Sequence, residues 1–239
     1  MTRINFVSAL ILCGALSAAP CAFADTIPVF NTGVDASGNA LTPGTADSHY
    51  SLTTTNCNVP ACAGYVATAV NNHPAWIPNT PTASWITPGP VGEKDGTTNY
   101  PSDATYIYTT TFDLTGENIS SAVLMGSWTS DNDSVLLLNG VLTPFSVGFP
   151  GYGQGSIEDF SLTSGFLQGV NTLQFVVQDG FDQGYVGDNP TGLLVNSISL
   201  TASPKSNATP PVPEPSSLML LGTGLLSACG VLRRRIVRS

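Results

Sequence analysis

Residues 105–114 read Thr-Tyr-Ile-Tyr-Thr-Thr-Thr-Phe-Asp-Leu, and their period is two. Tyr106, Tyr108, Phe112 and Leu114 fall on one side, with Thr105, Thr109, Thr111 and Asp113 on the other. Successive side chains of a strand point to opposite faces, so this stretch predicts a half-buried strand. Threonine and tyrosine suit that pleated surface. Downstream, Ala122–Thr129 alternates in the same way, with Leu124 and Trp128 together. Val135-Leu136-Leu137-Leu138 reads as a strand covered on both faces, and Asn139-Gly140 is the residue pair of a tight hairpin turn.

Further strands are expected at Ile157–Leu162, Thr172–Gln178 and Leu193–Leu200, with weaker signals at Ile27–Phe30, Tyr50–Thr54 and Tyr65–Val70. The 24 glycines and 18 prolines fall between these segments, where they favour turns over helix interiors. The expected class is all-β: an antiparallel β-sandwich or jelly roll with an addressing segment at either end.

The first end spans residues 1–24. Arg3 precedes an apolar run, Ile4–Ala19, and Ala22-Phe23-Ala24 has the small-x-small pattern of a signal-peptidase site, so a cut is expected after Ala24. The alternative, an uncleaved N-terminal membrane helix, fits the short apolar run less well. Residues 25–201 are then the extracytoplasmic domain. Between Asp25 and Val212 stand two lysines, Lys94 and Lys205, against 15 acids, a net charge of −13. Such a surface repels phosphate backbones, which argues against nucleic acid as a partner.

Residues 202–212, Ala-Ser-Pro-Lys-Ser-Asn-Ala-Thr-Pro-Pro-Val, read as a solvated tether. Pro213-Glu214-Pro215 follows, then Ser216–Leu232 without a charge, then Arg233-Arg234-Arg235 and Arg238. As a helix, 216–232 would span about 26 Å, enough to cross a bilayer with snorkelling arginines that stay cytoplasmic. Over 213–238 this order of motif, apolar helix and arginine cluster resembles the PEP-CTERM sorting signal of Gram-negative bacteria, found on exopolysaccharide- and biofilm-associated proteins. The resemblance implies that an exosortase recognises Pro213, Glu214 and Pro215 and can remove the tail. A plain, unprocessed membrane anchor is the other reading. Export would thus pass through an inner-membrane-anchored precursor with a periplasmic domain, and end at the cell surface or in the matrix.

Gly126–Gly140, Gly169–Asp179 and Gly192–Leu200 look like parts of a galactose-binding-like jelly roll, covering residues 104–201. Many members of that superfamily bind sugars, and others only space or assemble. The resemblance implies a carbohydrate-binding module as an alternative to a purely structural or adhesive domain.

Candidate sites are few. Cys57 and Cys62 are the thiols that remain once both ends are removed, and an exported setting favours a disulfide over a metal or redox pair, whose C-x-x-C spacing is lacking. Asp131 and Asp133 in one expected turn, with Asp179, Asp182 and Asp188 in another, offer oxygen ligands to a structural Ca²⁺ if the turns meet; the competing reading is that Asp simply caps turns. No other cofactor is indicated. Trp76, Trp85, Tyr100 and Tyr152 lie in Pro- or Gly-rich stretches where a displayed ring would stack on a sugar and a packed one would seal a loop. Catalysis is not expected, because His49 and His73 have no nucleophile or metal-ligand pattern nearby, and Glu158-Asp159 are adjacent on a strand and point apart. A glycan-active hydrolase is the remaining alternative, and it would need two carboxylates facing one cleft.

Overall fold

Eleven strands are described. They are β1 (Asp25–Ile27), β2 (Ser51–Thr55), β3 (Val66–Ala69), β4 (Ile86–Gly89), β5 (Thr105–Asp113), β6 (Glu117–Asp131), β7 (Asp133–Leu138), β8 (Val141–Val147), β9 (Glu158–Leu162), β10 (Val170–Gln178) and β11 (Gly192–Pro204). The computed structural model describes residues 24–57, 60–101, 104–149, 156–179, 190–205 and 222–224. Contacts divide the chain into two units, 1–205 and 206–239. Within the first unit the strands form two antiparallel sheets.

One sheet has the order β2-β5-β10-β7-β8. The stretch 105–113 sits second in it, pairing with β2 at Leu52↔Tyr108 and with β10 at Phe175↔Tyr108. Its alternation is as expected: Tyr106, Tyr108 and Phe112 are buried, and Thr111 and Asp113 are exposed. The second sheet has the order β3-β4-β11-β6-β9, with β1 also on β11. Because β6 occupies one edge of β11 throughout, β4 at Leu193 and β1 at Leu200–Ala202 share the other edge. The core between the sheets centres on Trp128, whose ring lies 5.6 Å from that of Phe160 and 5.9 Å from that of Phe175.

Asn139 and Gly140 connect β7 to β8 with φ of 53° and 76°, the left-handed pair that a type I′ hairpin requires. The Asn139 amide donates to the Gly165 carbonyl (2.9 Å) and to Asn171 Oδ1 (2.8 Å), and its Oδ1 accepts from Thr172 N. Asn171, fully buried, in turn donates to the carbonyls of Leu167 and Gly169. Two asparagines therefore lock the hairpin to the start of β10.

Several elements differ from the sequence reading, among them β1, which covers Asp25–Ile27 where Ile27–Phe30 was expected, because Asp25, Thr26 and Ile27 pair with Ala202, Thr201 and Leu200. β6 begins at Glu117 rather than Ala122, because its first residues pair with the end of β11 through Ser203↔Asn118 and Pro204↔Glu117. For the same reason the stretch 202–212 is not all tether: Ala202 is buried and pairs with Asp25, so the sheet runs to Pro204. β4 and β8 had no alternating signal to announce them, since β4 is buried at every position and β8 carries Pro144 at the sheet edge.

Candidate functional site

The turn between β6 and β7 and the end of β10 bring Asp131, Asn132, Asp133 and Asp179 to one end of the sandwich, through the pairs Gly192↔Asp131 and Gln178↔Asp133. Asp131 is 6% exposed. Its Oδ2 accepts from Trp76 Nε1 at 2.7 Å and its Oδ1 from the Asn132 amide at 2.6 Å, while its carbonyl accepts from Thr191 Oγ1. Burial pushes its carboxyl up to about 7, and the Trp76 hydrogen bond opposes that rise only in part.

This geometry bears on the calcium reading. Among the described residues no three of His, Cys, Asp and Glu are placed to share a metal. Asp131 engages both carboxylate oxygens with Trp76 and Asn132. Asp182 and Asp188 lie outside the described residues.

The loop aromatics are placed differently from a displayed sugar platform. Trp76 is 4% exposed, Trp85 0% and Tyr100 1%, so none presents a ring face to solvent, and this corrects their reading as ligand-stacking residues. The physical reason is a second apolar cluster of Val70, Trp76, Ala83, Trp85 and Leu194 on the outer side of the β4–β11 strands. The Trp76 and Trp85 rings stack 4.3 Å apart, and Trp85 Nε1 donates to the Ile77 carbonyl at 2.7 Å. Asn79 closes the excursion by donating to the Val70 carbonyl and accepting from Trp85 N. Tyr100 packs edge-on to Tyr65 and donates to Thr87 Oγ1. Tyr152 lies outside the described residues.

Cys57 and Cys62 form a disulfide across the 3₁₀ turn Pro60–Gly64, with Cα atoms 6.4 Å apart. The cleavage residue Ala24 is exposed directly before β1, while Ala22 lies outside the described residues. So do Pro213, Glu214, Pro215, Arg233, Arg234 and Arg235. The span 216–232 also lies outside them except for 222–224, which are helical and exposed. Among the described residues no helix is long and apolar enough to cross a membrane.

Open space lies elsewhere, in a groove of about 500 Å³ on the second sheet lined by Met125, Ser127, Phe145, Asp159, Phe160 and Ser197, among others. The sequence offered little to find it. Its polar groups come from three strands distant in the chain, and its one carboxylate belongs to the Glu158-Asp159 pair, which indeed diverges: Asp159 is exposed and Glu158 half-buried.

Comparison with known proteins adds the following. No curated protein matches the chain. Solved structures similar to it include the enzymatically active domain of tailspike protein 4 of bacteriophage CBA120 (15% identity, TM-score 0.37), of which the chain covers 22% with 71% of its own length. A cyclase from Fischerella sp. TAU is similar at 9% identity and TM-score 0.34 over 76% of this chain and 98% of that one. A family 29 carbohydrate-binding module is similar at 10% identity and TM-score 0.23, over 63% and 92%. The chain spans only about a fifth of the length of the tailspike domain. Residues 211–235 match the family model of the PEP-CTERM protein-sorting motif. An all-β sandwich therefore carries, directly behind its last strand, the PEP-CTERM motif of an exported protein that is processed by exosortase.

Proposed function

We propose that this protein is a surface or exopolysaccharide-matrix component whose β domain serves structure or adhesion without catalysis. The observation that carries the reading is the sorting motif at 211–235, separated from the end of β11 by only a few residues. A domain with two lysines against 15 acids would stay soluble and unaggregated during passage across the inner membrane. Signal peptidase acts at one end in this scheme, after Ala24. The tail 216–232 holds the precursor in the membrane at the other, and exosortase reads Pro213, Glu214 and Pro215 before transfer to the outer surface.

Replacing Glu214 tests the scheme. Glu214→Ala is expected to leave full-length precursor in the inner-membrane fraction, detected by immunoblot after fractionation. Unchanged processing and release would contradict recognition of the motif. The absence of catalysis is tested by incubating the purified protein with polysaccharides and assaying reducing ends, with no release expected.

A further inference from the structure

Both addressed ends of the chain leave the domain at one pole of the sandwich. Asp25, the first residue after the expected leader cut, pairs with Ala202, and β11 ends two residues further on at Pro204. After Lys205, seven residues, 206–212, precede Pro213, and fully extended they reach about 25 Å.

Hydrogen bonds tie this pole together. Lys205 N donates to the Gly116 carbonyl in the β5–β6 turn at 2.8 Å, and Leu114 N donates to the Gly169 carbonyl ahead of β10 at 2.9 Å. Asn171 Oδ1 accepts from Leu167 N at 2.7 Å and from the Asn139 amide at 2.8 Å, which fixes the 165–170 loop against the β7–β8 turn. On these two joined segments four large aliphatic side chains stand in solvent: Val141 is 69% exposed, Leu142 64%, Leu167 55% and Val170 64%. Adjacent exposed aliphatic side chains mark a contact surface.

We propose that this pole is a membrane-docking surface on which the tail-anchored precursor rests against lipid of the periplasmic leaflet, a role that depends on the anchored tail described above. Both routes into the bilayer, the leader before Asp25 and the tail after Lys205, start here, so the surface nearest the lipid by chain connection is also the one with uncovered aliphatic area. Four such side chains alone bind lipid weakly. A seven-residue tether holds them beside the bilayer at high effective concentration, so the contact forms in the precursor and is lost when the tail is removed.

Charge agrees with this orientation. β10 runs from Val170 at the docking pole to Gln178, which pairs with Asp133, and Asp131 and Asp179 lie at that same far end. Anionic lipid repels that end. At the docking pole Asp25, Asp113 and Glu117 stand against Lys205, so the attraction is apolar and salt does not screen it away.

The test reconstitutes the tail-bearing precursor, leader removed, in phosphatidylcholine vesicles carrying a photoactivatable diazirine high on the acyl chain, and maps lipid adducts by mass spectrometry. Adducts on 139–142 and 165–170 are expected to exceed those at Ile157 about tenfold, Ile157 being exposed and apolar but ahead of β9 at the far end. They are expected to persist in high salt and to fall when the chain is cut within 206–212. Leu167→Glu with Val170→Glu is expected to remove them with an unchanged melting curve, and the milder pair Leu167→Ala with Val170→Ala to reduce them. Equal adducts at Ile157, loss of adducts in high salt, adducts that need exosortase in the vesicles, or adducts unchanged in both double variants would overturn the inference. Carbonate extraction separates the two readings. A precursor washed out of the vesicles contradicts the anchored tail and the docking with it, whereas an integral precursor without adducts at this pole contradicts the docking alone.

Discussion

The two sheets of this sandwich meet solvent in opposite ways. On the outside of the five-stranded sheet, Thr53, Thr109, Thr111, Gln174 and Gln178 stand in cross-strand rows, half-buried or exposed, and among the described residues neither apolar cluster covers them. On the outside of the six-stranded sheet, the excursion from Val70 to Trp85 folds back over Leu194, so β4 and the first four residues of β11 are buried on both faces. On the bare sheet burial alternates along β5, β7 and β10, although Ile107, Val135, Leu137 and Val176 lie on its outer face; β7, expected from its apolar run to be covered on both faces, is fully buried on one only. The covered sheet loses that alternation and gains a groove where the cover stops.

The largest expected effect breaks the cover. Trp85→Ala removes a fully buried indole and should cost about 3–5 kcal/mol in chemical denaturation, whereas Thr109→Ala on the bare face should change stability by less than about 0.5 kcal/mol. Equal effects would mean that the second cluster contributes little.

Asp131 sharpens the comparison, since it is tied to the cover through Trp76. Folded, its carboxyl keeps a proton up to about pH 7, and unfolded it loses the proton near its ordinary 3.8. Between those values the folded state binds more protons, so stability falls as pH rises from about 4 to 7 and is level above. The drop should be on the order of 2–4 kcal/mol. Asp131→Asn, which cannot ionise, should flatten melting temperature against pH over that window; an unchanged slope would assign it to other groups.

The smallest expected effect is at the disulfide. Its short ring limits the loss on reduction to about 2 kcal/mol, read as a shift in denaturation midpoint with and without reductant.

How much of this was legible follows the same division. The bare sheet could be read directly, because one solvated face imposes period two on 105–113 and 170–178. The Asn139-Gly140 turn was legible for a similar reason: positive φ at two successive positions selects those residues. β4 could not be seen, since a strand covered on both sides carries no alternation, and Ile-Thr-Pro-Gly resembles a loop. Trp76 and Trp85 were read as candidates for display because their prolines and glycines do mark a loop. That loop is itself packed, a fact set by Leu194 more than a hundred residues away. The groove was invisible on the same ground, as Ser127, Asp159 and Ser197 meet only through strand pairing. The sorting tail needed no folding at all to be read, since its order and composition carry the signal.

The most direct test of the account as a whole is the intact mass of the mature protein recovered from the cell surface or medium, with and without reductant. A chain that begins at Asp25, ends near the Pro213-Glu214-Pro215 motif and gains the mass of two hydrogens on reduction is expected. The unclipped 24.8 kDa chain, free in the cytosol, would contradict it.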